Sequence, residues 1–352
     1  MRTLQKLLPV TVALAALAAP AFAAETVYIP LGSANVVAVV DPGTDRVTGR
    51  IGGLPEVHGL AGTPDGRWLI AGSEAERTAG GKRPARPAGV SEDDHESHHA
   101  SAGRPTSGPA VVSTASIVRA ADRKVVRRVD VPGAVHHATV SPDGRFAVFT
   151  HPKQGGISVL DLVAYRVVAS VATGPEANYA AFDPSGKRVF VSNGGNATVS
   201  EVDAERWIVR RNVVVGASPE HVALSRDGGS LFVNNVADGT VSVVDLQKGE
   251  ATRAFAVGEM LHGIDVSDDG KTLFVAAMRD NKLVAVDIAS GAQRTVSLSP
   301  APYHLAAIRG AGKVYVSSAR QPKVWVIDQK TLAVRGEIPL GGKGHQMVQL
   351  SR

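Results

Sequence analysis

The chain has 352 residues, a formal net charge of +5 and no cysteine. Without cysteine there can be no disulfide, no thiolate metal site and no covalent c-type haem attachment. The 38 Lys and Arg residues are scattered with no interleaved aromatic stripe, so nucleic acid is not an expected partner.

The first element is a leader. Arg2 and Lys6 precede an apolar run from Leu7 to Ala19, and Ala21-Phe22-Ala23 gives the small-x-small pattern of a cleavage site. Residues 1–23 therefore read as a secretory signal peptide, too short and wrongly flanked for a membrane span. The expected location is the bacterial periplasm, with residues 24–352 forming a single domain and no membrane span after cleavage.

Beyond the leader the chain repeats. The stretches beginning at Gly174, Gly216 and Gly258 each carry four short strand signals: an alternating run, a Ser-x-Asp-Gly-like turn, an apolar second strand such as Leu231-Phe232-Val233, a third ending in Val-Asp, and a fourth. Four short antiparallel strands in a unit of about 40 residues are the signature of a propeller blade. First strands are expected near 58, 136, 178, 220, 262, 304 and 345, which makes seven blades. The chain enters with strands two to four of one blade and ends with a lone first strand, so the C-terminal strand is predicted to close the ring against the N-terminal three. The fold class is thus all-β, a seven-bladed β-propeller.

The step from the first to the second of these strands is 36 residues longer than the 42-residue repeat. The excess is an insertion at 74–110, rich in Gly, Pro, Ser and Arg, which is expected to be disordered. At its centre lies SEDDHESHHA, with His95, His98 and His99 beside Asp93, Asp94 and Glu96. Tracts of this composition are a metal-binding signal.

Stretches such as VFVSNGGNATVSEVD, LFVNNVADGTVSVVD and VSPDGRFAVFT resemble the YVTN-repeat family of seven-bladed propellers. The resemblance covers almost the whole mature chain. It implies the fold, and places the start of each first strand at one rim of the central channel. That position is held by His58, His136, Asn178, Glu220, His262, His304 and His345. His137 and His221 fall one place later, and period-two alternation assigns them to packing between blades. His151 ends a second strand on the same face. The insertion, between a second and a third strand, is expected to hang over the same rim.

A ring of imidazoles with one carboxylate suits zinc or copper. The expected metal ligands are His58, His136, Glu220, His262, His304 and His345, with His95, His98 and His99 in the insertion. Met260 and Met278 lie near the rim and would favour copper. The layout is similar to that of periplasmic metallochaperones, which join a propeller to a His-rich segment. The functional expectation is a monomeric metal-binding protein that captures an ion and passes it to a periplasmic partner. The alternatives are a propeller enzyme of the lactonase or quinoprotein type, a carrier of d1-type haem, or a protein-binding scaffold. No nucleophile motif or Ser-His-Asp arrangement favours an enzyme.

Overall fold

A computed structural model describes residues 25–79 and 111–351. The expected signal peptide and His95, His98 and His99 lie outside the described residues. No helix among the described residues is long and apolar enough to cross a membrane.

The chain forms seven antiparallel sheets, six of four strands and one of five. Local chemistry sets the turns. Between third and fourth strands, Asp41, Asp161, Asp203, Asp245, Asp287 and Asp328 each accept a backbone N–H two or three residues on. This Asx-type bond gives a tight turn with no further support. Between first and second strands, Ser141, Ser225 and Ser267 donate to Asp143, Asp227 and Asp269. The glycine after each of these aspartates has φ of 70–73°, where a Cβ would be strained.

Apolar faces of adjacent blades supply the core. A large aromatic recurs at one position of the second strand in five blades, as Tyr28, Phe190, Phe232, Phe274 and Tyr315, each no more than 1% exposed. Phe232 and Phe255 of one blade pack with Leu261, Leu273 and Val275 of the next. Seams of this kind fix the radial arrangement of sheets that a single blade could not bury alone.

The ring closes as expected. Val348–Ser351 pairs antiparallel with Glu25–Leu31, with Thr26 opposite Leu350, so the last strand becomes the innermost strand of the N-terminal blade. No sheet edge is left open at the seam between the termini.

At the root of the insertion, Arg77–Thr78 pairs with Val111–Val112, which continues a strand running to Arg119. The first residues of the stretch expected to be disordered thus extend the sheet of this blade. Glu74, where the insertion starts, donates its backbone N–H to Glu56 O beside the channel mouth.

Candidate metal centre

Seven inner strands converge on the axis, and a backbone irregularity decides what they present to it. In five blades the first strand carries one residue more than its neighbour. Val57 faces Ser73 while Leu60 faces Ala71, and the same slip lies between Ala177 and Ala180, Pro219 and Val222, Leu261 and Ile264, and Pro302 and Leu305. Such a bulge interrupts period-two alternation and re-aims side chains.

One expectation is corrected, for His221 on a bulged strand and for His137 alike. His137 and His221 do not pack between blades but turn to the axis. Their rings are 4.8 Å apart, and lie 5.5 Å and 5.0 Å from the ring of His304 on another blade. The register also shifts one expected position. Pro302 pairs with Ser318 as Leu261 pairs with Ala277, so Tyr303 is the counterpart of His262 and His304 the counterpart of Gly263. Two residues per blade therefore reach the axis. One set is His58, His136, Asn178, Glu220, His262, Tyr303 and His345. The other includes His137, Tyr179, His221, His304 and Gln346.

All six described residues expected as ligands come together here. His58 stacks on His136 at 5.0 Å and lies 4.3 Å from His345, centroid to centroid. His262 lies 4.6 Å from His304, with their Nε2 atoms 3.4 Å apart. The Glu220 carboxylate is 3.4 Å from His262 Nδ1 and 4.0 Å from His221 Nδ1. At the root of the insertion, Glu74 reaches to 3.9 Å from His58 Nε2.

Among the described residues, four groups could each hold an ion, every ligand atom in a group lying within 4.8 Å of the others: His58–His136–His137, His58–His304–His345, His137–His221–His304 and Glu220–His221–His262. Met260 and Met278 join each other through a backbone hydrogen bond at the rim. His151 is occupied structurally, with Nδ1 on Ala134 O at 2.9 Å and Nε2 on the Ser158 hydroxyl at 2.7 Å.

Electrostatics favour the ligand form of these imidazoles. Burial, then the charge their neighbours would carry, holds His137, His221 and His304 well below the usual imidazole range. A neutral imidazole keeps one lone pair for a metal. Carbonyl contacts select which nitrogen carries the proton. His58 Nδ1 lies 2.6 Å from His136 O and His137 Nδ1 lies 2.9 Å from Asn178 O. A carbonyl only accepts, so His58 Nδ1 donates to His136 O, while Asn178 O is shared by the Nδ1 atoms of His137 and His136, which lie 3.0 Å from each other. The Nε2 of His137 and both ring nitrogens of His221 are buried with no hydrogen-bond partner among the described residues. Each such atom costs about 1–3 kcal/mol, a cost that coordination would remove.

A second group of residues, which sequence reasoning missed, holds the ring in place. Thr150 donates to Asn178 O at 2.9 Å, and Ser192 and Asn234 donate to the carbonyls of Glu220 and His262. In each case the donor is on the second strand of one blade and the acceptor on the axial position of the next. All three donors are fully buried. Their signal was a polar residue at a fixed place in an otherwise apolar strand. Gln346 bridges further: its Oε1 accepts from Leu60 N and Ala138 N at 3.0 and 3.2 Å, and its Nε2 donates to Ala138 O at 2.9 Å.

Fold and site together define a seven-bladed propeller whose axis is lined by histidine. Residues 112–295, just over half of the chain, match the cytochrome D1 heme domain family, and the chain belongs to that family. No curated protein sequence matches significantly. Among solved structures, the chain is similar to the Pseudomonas aeruginosa periplasmic gluconolactonase PpgL, at 19% identity and a TM-score of 0.70 over 93% of this chain and 99% of that one. It is also similar to Kuenenia stuttgartiensis hydrazine synthase, at 17% identity and 0.65 over 82% and 87%. A third likeness is to dihydro-heme d1 dehydrogenase NirN in complex with DHE, at 13% identity and 0.64 over 89% of this chain and 63% of that one. At these identities the likeness concerns the fold alone.

The family implies haem d1, and the axial residues do not fit it. Imidazoles from different blades meet across the axis, with neighbouring centroids 4.2–5.9 Å apart, which leaves no room for a planar macrocycle between them. Haem iron also takes only axial ligands from protein, whereas nitrogens converge here from several sides. The arrangement suits a bare ion.

Proposed function

We propose that the protein binds a transition-metal ion, zinc or copper, on its axial histidines, and carries it in the periplasm for delivery to a receiving protein. The observation that carries this reading is the set of overlapping groups of imidazoles that converge on the axis, most of them buried, one group including the Glu220 carboxylate. Neutral imidazole with carboxylate suits zinc and copper above harder ions. The carrier role draws on the position of the insertion. Its root at Glu74 reaches His58, and the sequence between Glu74 and Val111 supplies His95, His98 and His99 as capture ligands.

The test is elemental analysis of protein taken from its native compartment, with an absorption spectrum and a chelator-competition titration. Bound zinc or copper supports the reading. Metal-free protein that does not load, or a haem band in the spectrum, overturns it. Deleting residues 80–110 is expected to slow loading while leaving affinity at the axis. A large loss of affinity would move the principal site to the insertion.

A further inference from the structure

The four ligand groups draw on overlapping but different sets of residues. Glu220–His221–His262 and His58–His304–His345 have no residue in common, although each brings three ligand atoms within 4.8 Å of one another. His137–His221–His304 lies between them and shares one residue with each. The two outer groups also differ in charge: one contains a carboxylate, the other only imidazole.

Resting on the metal-binding reading above, we propose that the axis holds two separate metal positions of unequal affinity, a tighter one on Glu220, His221 and His262 and a weaker one on His58, His304 and His345. A divalent ion beside Glu220 leaves a net charge of about +1, and one on the three imidazoles a net charge of about +2. In a buried site with reduced screening that difference is large. The carboxylate-containing position therefore fills first. An ion already there repels the second across a short distance, which widens the gap. His221 and His304, both also in the middle group, give an ion a way to move between the positions by exchanging one ligand at a time.

Zinc titration of the metal-free full-length protein against a chromophoric chelator tests this, with an elemental count after gel filtration. Two equivalents are expected, in steps at least about tenfold apart in affinity. Glu220→Gln is expected to weaken the tight step by about tenfold or more and keep the weak one. His345→Ala, at a half-buried rim position, is expected to lose the weak step alone. A single equivalent, weakened by both substitutions, would mean one shared site and overturn the inference while leaving the metal-binding reading intact. No binding at all would overturn both. The wild-type stoichiometry decides between these outcomes even if a variant fails to fold.

Discussion

Tyr303 lies flat against His262, with ring centroids 3.9 Å apart and planes 7° from parallel. The phenol is buried and held well above its usual range, so it stays neutral beside the imidazole. Stacking fixes the plane of His262, and with it the direction of the ring nitrogens. Tyr303→Leu is expected to lower zinc affinity by about tenfold, the scale of losing an outer-shell partner. Tyr303→Phe, which keeps the stack, should stay close to wild type. Competition titration of both variants checks this.

Glycine at two axial positions lets inner strands approach. A Cβ at Gly263 would stand 2.5 Å from Leu305 N and 2.7 Å from Tyr303 O, and one at Gly59 would stand 2.9 Å from the His137 backbone. These neighbours are backbone and cannot swing aside. Gly263→Ala is expected to destabilise the fold by about 1–3 kcal/mol through overpacking. It should also displace His304 and weaken metal binding. Thermal melts with and without zinc separate the two effects.

The blade count, the closure and the gathering of the six described candidate ligands could be read from the spacing of turn glycines, because a propeller repeats one local solution seven times. What could not be read was the face on which His137 and His221 lie. Alternation holds only along a regular ladder, and the bulge between Pro219 and Val222 adds a residue that leaves no mark in composition. Tyr303 was hidden for a related reason: the blade before it, which begins at Leu261, is one residue shorter, so counting by 42 residues lands on His304 while the pairing begins one residue earlier. Thr150, Ser192 and Asn234 act on the next blade, a relationship that only the closed ring creates.

Burial pushes the His151 imidazole down to about 4, from an ordinary value of 6.5. Its folded value lies below its unfolded one. Between these two pH values the unfolded chain binds a proton that the folded chain refuses, so stability falls as the pH is lowered. The full effect below pH 4 is about 3 kcal/mol. His151→Asn is expected to flatten the dependence between pH 6.5 and 4. Denaturant unfolding of both proteins across this window measures it, and equal slopes would show that His151 does not contribute.

Leu350 joins the core seam of Val37, Leu60 and Leu69, and its side chain sits where a Cβ on Gly62 would otherwise stand. Leu350→Ala is expected to cost about 2–4 kcal/mol. Truncation after Gly344 removes the whole closing strand, and should abolish the cooperative thermal transition rather than merely lower it. Calorimetry distinguishes these results.

Gln346 ties the closing strand to Leu60 and Ala138 on two other blades, and its neighbour His345 is one of the axial imidazoles. These two residues come from the ribosome after every other axial residue described. A nascent or clipped chain can therefore build most blades yet present an incomplete ligand set. On the two-position proposal, such a chain would lack a ligand of the His58–His304–His345 position alone, so filling of the weaker position, and not of the tighter one, would report that the closing strand is in place.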